Sequence, residues 1–318
     1  PMRLSDGEND LSLTSGSVGL AVNTASSWGA WGRVGTSPTG AGLAAEPYIT
    51  WSGGVQAAVG DNLRGEFETV RAPVTDSLAA WVADSDPTTG DAFGRVHDTW
   101  VGGKLSTRFD NGGELGGLVR WGQAQGIGMS QNVGEDGMVA WEQAIGWFRA
   151  PLRQQADREL WLGGEAMVMD HDRQVDSFET GGGGMFTPDS FYQGLLRLEG
   201  LFGVDPDSRF TACGIVGVGP QQVVGEPTLY LNPGTYVGYE LKGSLAYNLA
   251  QDWALVGHAT HTGSAVVWGQ TAALLQLRYG RPETTLYAPS ANFASLVHGP
   301  PLLEPANCGT DWKKERAR

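Results

Sequence analysis

The chain has 318 residues, 48 of them glycine, and only 18% carry charge. So much glycine is too costly inside helices for a mainly helical protein, and without a three-residue period it is not collagen. The formal net charge of -14 repels phosphate backbones, which speaks against nucleic acid as a partner. No run of about 18 apolar residues marks a transmembrane helix.

The dominant signal is an alternation of period two, which predicts strands near 17–23, 28–34, 48–59 and 61–71. In the last of these, Leu63 and Phe67 oppose Arg64, Glu66 and Glu68. Val101, Leu105 and Phe109 oppose Lys104, Ser106 and Arg108 in 98–109, and Leu115, Val119 and Trp121 oppose Glu114 and Arg120 in 113–122. After 138–149 comes 158–169, where Leu160, Leu162, Ala166 and Val168 oppose Glu159, Trp161, Gly163 and Glu165. In 190–203, Tyr192, Leu196, Leu198 and Phe202 oppose Gln193, Arg197 and Glu199. Strands at 208–219, 235–249, 252–262 and 266–279 complete a set of 13. The longest alternation sets Val237, Tyr239, Leu241, Leu245, Tyr247 and Leu249 against Glu240, Lys242, Ser244 and Asn248.

Connection lengths alternate as well. Tight turns fall at Gly60-Asp61, Asp110 to Gly113, Asp205 to Asp207 and Ala250 to Asp252, with a longer one from Pro151 to Asp157. Long loops lie between them, at 35–47, 72–97, 123–137, 170–189 and 220–234. Short turns on one side and long loops on the other are the pattern of an outer-membrane barrel. The sequence therefore predicts an all-β, antiparallel up-and-down transmembrane barrel of about 14–16 strands, with a soluble β-sandwich as the rival fold. Bacterial barrels have even strand numbers, and the first confident strand descends from the long-loop side. The count thus predicts a barrel incomplete at its N-terminus, with at most one irregular strand in residues 1–16. Residues 1–280 form the barrel domain in this reading, and 281–318 an irregular tail.

In a barrel the apolar set faces lipid and the polar set lines the lumen, so strand parity nominates Trp161, Glu165, Glu240, Lys242, Arg120, Glu66 and Lys104 as lumen residues that contact substrate. Trp51, Trp100, Trp121, Trp141 and Trp253 lie near strand ends, where an aromatic girdle would sit. Chemistry is less well supported. The carboxylate pairs Glu66/Glu68, Glu159/Glu165 and Asp170/Asp172 invite a glycosidase reading, but residues of one parity on a strand simply share a wall. Asp170-His171-Asp172 suits a solvated loop start better than a metal site, and His258 and His261 point to opposite faces. Cys213 and Cys308 have no metal-type spacing. No catalytic residue, metal or cofactor is expected.

Two segments carry a family resemblance. Arg71-Ala72-Pro73-Val74-Thr75-Asp76-Ser77-Leu78, followed by Asp86-Pro87-Thr88-Thr89-Gly90, is similar to the R-P-V-T-D-S-L…D-P-x-T-G stretch in the C-terminal domain of cellulose synthase operon protein C. Phe178 to Phe191, with Gly183, Gly184, Phe186, Pro188 and Phe191, resembles that domain's F-x-x-G-x-G-G-Y-F-S-P-Q-x-F/Y stretch. Gly35 to Gly40 and Leu274 to Tyr279 are weaker echoes in the same order. The resemblance implies a barrel of about 16 strands in the bacterial outer membrane. Its implied partners are a β-1,4-glucan chain passing out of the periplasm, outer-membrane lipid, and an inner-membrane cellulose synthase reached through an upstream periplasmic repeat region. No such repeat occurs within these residues. Gly181 to Gly184 reads either as a loop tip or as a loop folded over the pore; Arg71 and Asp76 read as a structural pair holding loop 72–97 rather than a sugar contact. A pore for a poly-glucosamine type of exopolysaccharide, and a soluble carbohydrate-binding module or glycosidase, stand as alternatives.

Overall fold

The computed structural model describes residues 2–5, 10–13, 17–23, 28–37, 48–59, 62–74, 84–85, 92–127, 138–155, 157–174, 187–203, 209–227, 232–250, 253–264 and 270–279. Its elements are β1 (Met2–Ser5), β2 (Asp10–Leu13), β3 (Ser17–Asn23), β4 (Trp28–Thr36), β5 (Ile49–Val59), β6 (Leu63–Pro73), β7 (Asp84–Ser85) and β8 (Ala92–Arg108). There follow β9 (Glu114–Ile127), β10 (Met138–Gln154), β11 (Arg158–His171), β12 (Ser190–Phe202), β13 (Phe210–Val224), β14 (Gly234–Ala250), β15 (Trp253–Ser264) and β16 (Gln270–Tyr279). From β3 to β16 each strand pairs antiparallel with the next, except that β7 stands aside and pairs only with β8. The result is one up-and-down sheet, not the two facing sheets of a sandwich. Among the described residues β3 and β16 end the path, each paired on one side.

Four details depart from the sequence expectation. Residues 2–13 hold two short strands, β1 and β2, paired as a separate hairpin. Strand β8 begins at Ala92, several residues before the alternation shows, because a bulge between Gly94 and His97 breaks its parity. The chain from Pro151 continues β10 to Gln154 around a second bulge, and β11 begins at Arg158. Strand β13 runs through Pro220, which lacks a ladder donor. The sheet tolerates it where β12 and β13 close in, Gly219 lying against the Gly194 carbonyl.

The convex face is apolar and open. Val237, Leu241, Leu245 and Leu249 alternate along β14 at 63%, 47%, 54% and 54% exposure. Their neighbours across the register, Val216 and Val218 on β13, are equally exposed. So much apolar surface on most strands of the sheet is hazardous in water and suited to lipid. Exposed aromatics bound the band: Tyr239 and Tyr247 on β14, Tyr192 and Phe202 on β12. Those pairs are eight and ten residues apart. At roughly 3.3 Å per residue and a tilt near 40°, they enclose about 20–25 Å, close to the apolar height of an outer-membrane barrel. Trp121 and Trp253 belong to this outward set. Trp100 and Trp141, expected in the girdle, do not: both are buried on the concave face.

Candidate functional site

On the concave face, cross-strand rows alternate bulk with glycine. Trp100 and Trp141 stand on either side of Gly122, where a Cβ would overlap the Trp141 indole and come within 2.8 Å of the Trp100 Cβ. Trp147 lies over Gly116 in the same way. Strands about 4.8 Å apart cannot each present a large side chain at one level unless some positions are empty, and glycine supplies those recesses. Large groups thus lie along the wall instead of standing into the lumen.

The half of the face nearer the long connections is apolar. Val70, Trp100, Leu118, Trp141, Ile145, Met167, Met169, Phe191 and Val223 form one buried cluster. Polar groups within it face one another. Arg120, wholly buried, stacks on Trp100 with Cζ 4.5 Å from the ring centre, faces Glu68 at 3.9 Å and donates to Gln143 Oε1 at 3.3 Å. Gln143 Nε2 in turn donates to the Met167 sulfur at 3.1 Å. Trp141 Nε1 donates to Asp98 Oδ1 at 2.8 Å.

Toward the short turns on β10 and β11, and near mid-height on β12 to β14, the face is ionic. One row runs Arg149, Gly163, Arg197, Gly217, Glu240 across five strands. Arg197 reaches over Gly217 to Glu240, its Nε donating to Oε1 and its Nη2 to Oε2 at 3.2 Å. It grips Glu165 on the other side at 2.5 and 3.1 Å. Lys242 Nζ adds a 3.1 Å contact to Glu240. Arg149 crosses β11 to hold Glu199 by two bonds of 2.7 Å, and its Cζ lies 3.9 Å from the centre of the Trp161 ring. Trp161 Nε1 donates to Glu159 at 3.0 Å.

Between the two halves a cavity of about 1660 Å³ is lined in part by Glu66, Lys104, Leu118, Ile145, Met167, Gln193 and Gln221. Lys104 faces Glu66 across the register and sits 5.3 Å from the Trp147 ring centre. Among the described residues no three His, Cys, Asp or Glu side chains converge on a point that could hold a metal.

All seven residues nominated from parity lie on this concave face, but in different settings. Glu165, Glu240 and Lys242 meet through Arg197; Glu66 and Lys104 border the cavity; Trp161 and Arg120 are packed into the wall beneath other side chains. Arg149, Arg197, Glu199 and Trp147 were not nominated. Parity places them inside as well; their reach across a neighbouring strand is written only in the register.

The feet of the long connections are tied together. Ser37 Oγ accepts from the Tyr48 amide and from Arg95 Nη2, both at 3.0 Å. The Tyr48 ring lies under the guanidinium groups of Arg71 and Arg95, at 5.6 and 5.8 Å, and burial pushes its phenol pKa up. Arg71 Nη2 meets His97 Nε2 at 3.1 Å. Arg71 therefore ties to Tyr48 and His97, while Asp76, its expected partner, lies outside the described residues. Pro73 pairs with His97 at the end of β6. In the second motif, the Pro188 carbonyl meets His171 Nδ1 at 2.8 Å and Phe191 joins the apolar cluster. Gly183, Gly184 and Phe186 lie outside the described residues, as does the whole 281–318 tail.

The family model described as the cellulose synthase operon protein C C-terminus matches residues 6–199, more than half of the chain. This chain belongs to that family. A solved structure described as a bacterial polysaccharide outer membrane secretin is similar over 84% of this chain and 80% of that chain, with a TM-score of 0.59 and 9% sequence identity. At that identity the likeness establishes the fold alone, and the fold is that of an outer-membrane barrel wall. Comparison with curated proteins gives no match. Within the family, the described residues supply a lipid-type outer face, a wall of interlocked inner side chains and a mid-height cavity.

Proposed function

We propose that this wall belongs to an outer-membrane pore that conducts an exported polysaccharide, and that the polymer is cellulose. The observation that carries the reading is membership of the cellulose synthase operon protein C family by a chain whose up-and-down sheet exposes an apolar outer face and packs a polar and ionic inner one. A moving polymer needs many weak contacts and no tight one. Of the seven nominated residues, Glu66, Lys104, Glu165 and Lys242 keep partial exposure and are the proposed contacts. Trp161, Arg120 and Glu240 act from within the wall, by setting the shape and charge of what the polymer meets. In this reading the long connections face the exterior, and the periplasmic side is supplied with polymer by an inner-membrane cellulose synthase.

The net charge of -14 favours one second reading, a pore for a cationic, partly deacetylated poly-glucosamine. A channel assay separates the two. The full chain, purified from outer membranes and placed in planar bilayers, is exposed to neutral cello-oligosaccharides or to glucosamine oligomers. Transient current blocks by the neutral oligomer support cellulose. Blocks by the cationic oligomer alone transfer the assignment to the second reading, and absence of channels rejects the pore.

A further inference from the structure

The ionic row is charge-neutral as a unit. Arg149, Arg197 and Lys242 bring three cations; Glu165, Glu199 and Glu240 bring three carboxylates, and every one of the six is paired within the set. It is also flat. A Cβ on Gly217 would come within 2.7 Å of the Glu240 side chain and 2.8 Å of Oε1, so the recess at Gly217 is what lets Arg197 and Glu240 meet across β13. Arg197 is the joint of the arrangement, since it alone holds two carboxylates from two different strands.

We infer that these six residues form a self-neutralised collar on the lumen wall, and that Arg197 is a positioning residue that makes the pore selective for an uncharged polysaccharide over a cationic one. This deepens the pore reading above and rests on it. The physical reason is local. With Arg197 in place, Glu165 and Glu240 are held against the wall and their field is cancelled at contact distance. Without it, Glu240 keeps only the Lys242 ammonium and Glu165 loses the guanidinium that holds it. The released carboxylates would swing toward the lumen, where their like charges repel and attract passing cations.

The test uses the full chain in planar bilayers under a potassium chloride gradient. Arg197→Gln keeps the polar volume and removes the charge. The expected result is a reversal potential displaced toward that of potassium, with a several-fold increase in the frequency of blocks by glucosamine oligomers and little change for cello-oligosaccharides. Arg197→Lys is expected to restore most of the parental selectivity. A double variant, Arg197→Gln with Glu165→Gln, removes one charge of each sign, leaves Arg149 with Glu199 and Lys242 with Glu240, and is expected to return to it, which separates released charge from damaged packing. The inference is overturned if the parent forms channels and Arg197→Gln leaves both selectivity and oligomer preference unchanged, or if the double variant stays as cation-selective as the single one. If the parent itself forms no channels, it is the pore reading that falls.

Discussion

Arginine placed at successive outward positions of β14 should trace the depth of the bilayer. Val237, Leu241, Leu245 and Leu249 share one face and are all at least 47% exposed, so burial within the protein does not distinguish the inner two from the outer two. Depth does. Tyr239 and Tyr247 mark the two edges of the apolar band on this strand, which puts its middle at Gly243. At about 3.3 Å per residue and a tilt near 40°, Leu241 and Leu245 lie about 5 Å from the midplane, and Val237 and Leu249 about 15 Å, beyond a half-thickness of about 12 Å. Arginine costs roughly 2–4 kcal/mol at the midplane of such a wall and about 0–1 kcal/mol near its edges. The expected penalties are therefore about 1–3 kcal/mol for Leu241→Arg and Leu245→Arg, and under about 1 kcal/mol for Val237→Arg and Leu249→Arg. Reversible denaturant titration of the full chain refolded into phospholipid vesicles measures all four. A soluble sandwich with this face in its core would penalise the four positions according to packing, with no peak at the strand centre. A flat profile, or one highest at Val237 or Leu249, would refute the assignment of this face to lipid.

Three further outcomes follow from the concave face. Gly122→Leu forces atoms into the space held by Trp100 and Trp141 and should destabilise the folded barrel by about 1–3 kcal/mol in the same titration, whereas Gly103→Leu, with nothing within 4 Å of its Cβ position, should cost less. Arg120→Met strands Glu68 in the wall at an expected cost of about 3–5 kcal/mol, and adding Glu68→Gln should recover most of it; a double variant no better than the single would show that the two residues are not coupled. Protease treatment of intact cells should cut within the 75–83 or 175–186 connections and spare the turns at 109–113 and 155–157; the reverse pattern would invert the barrel.

Period-two alternation settled a good deal unaided. It located the strands of the sheet, most within a few residues, and sorted Leu241 from Glu240 and Phe67 from Glu66, because on a strand a side chain's face depends on the parity of its own position and on nothing distant. Parity failed where the strand itself departs from regularity: the bulges at Gly94 to His97 and Pro151 to Arg153 shift the count, and their glycine and proline read in sequence as loop and turn rather than as irregularities within a strand. It also could not separate Trp121 from Trp141. Trp121 shares parity with Leu115 and Val119, but Trp141 shares it with Gln143 and Arg149 as well as Val139 and Ile145, so the strand at 138–149 has no clean apolar face to read, and only the structure shows Trp141 filling the recess over Gly122. Likewise Arg197 was legible as an inward-facing arginine and no more. That it joins Glu165, 32 residues before it, to Glu240, 43 residues after it, follows from register accumulated over three successive strand pairings, each set by its own turn and bulges. Local sequence carries the facing of each side chain; only the assembled sheet decides which neighbours it meets there.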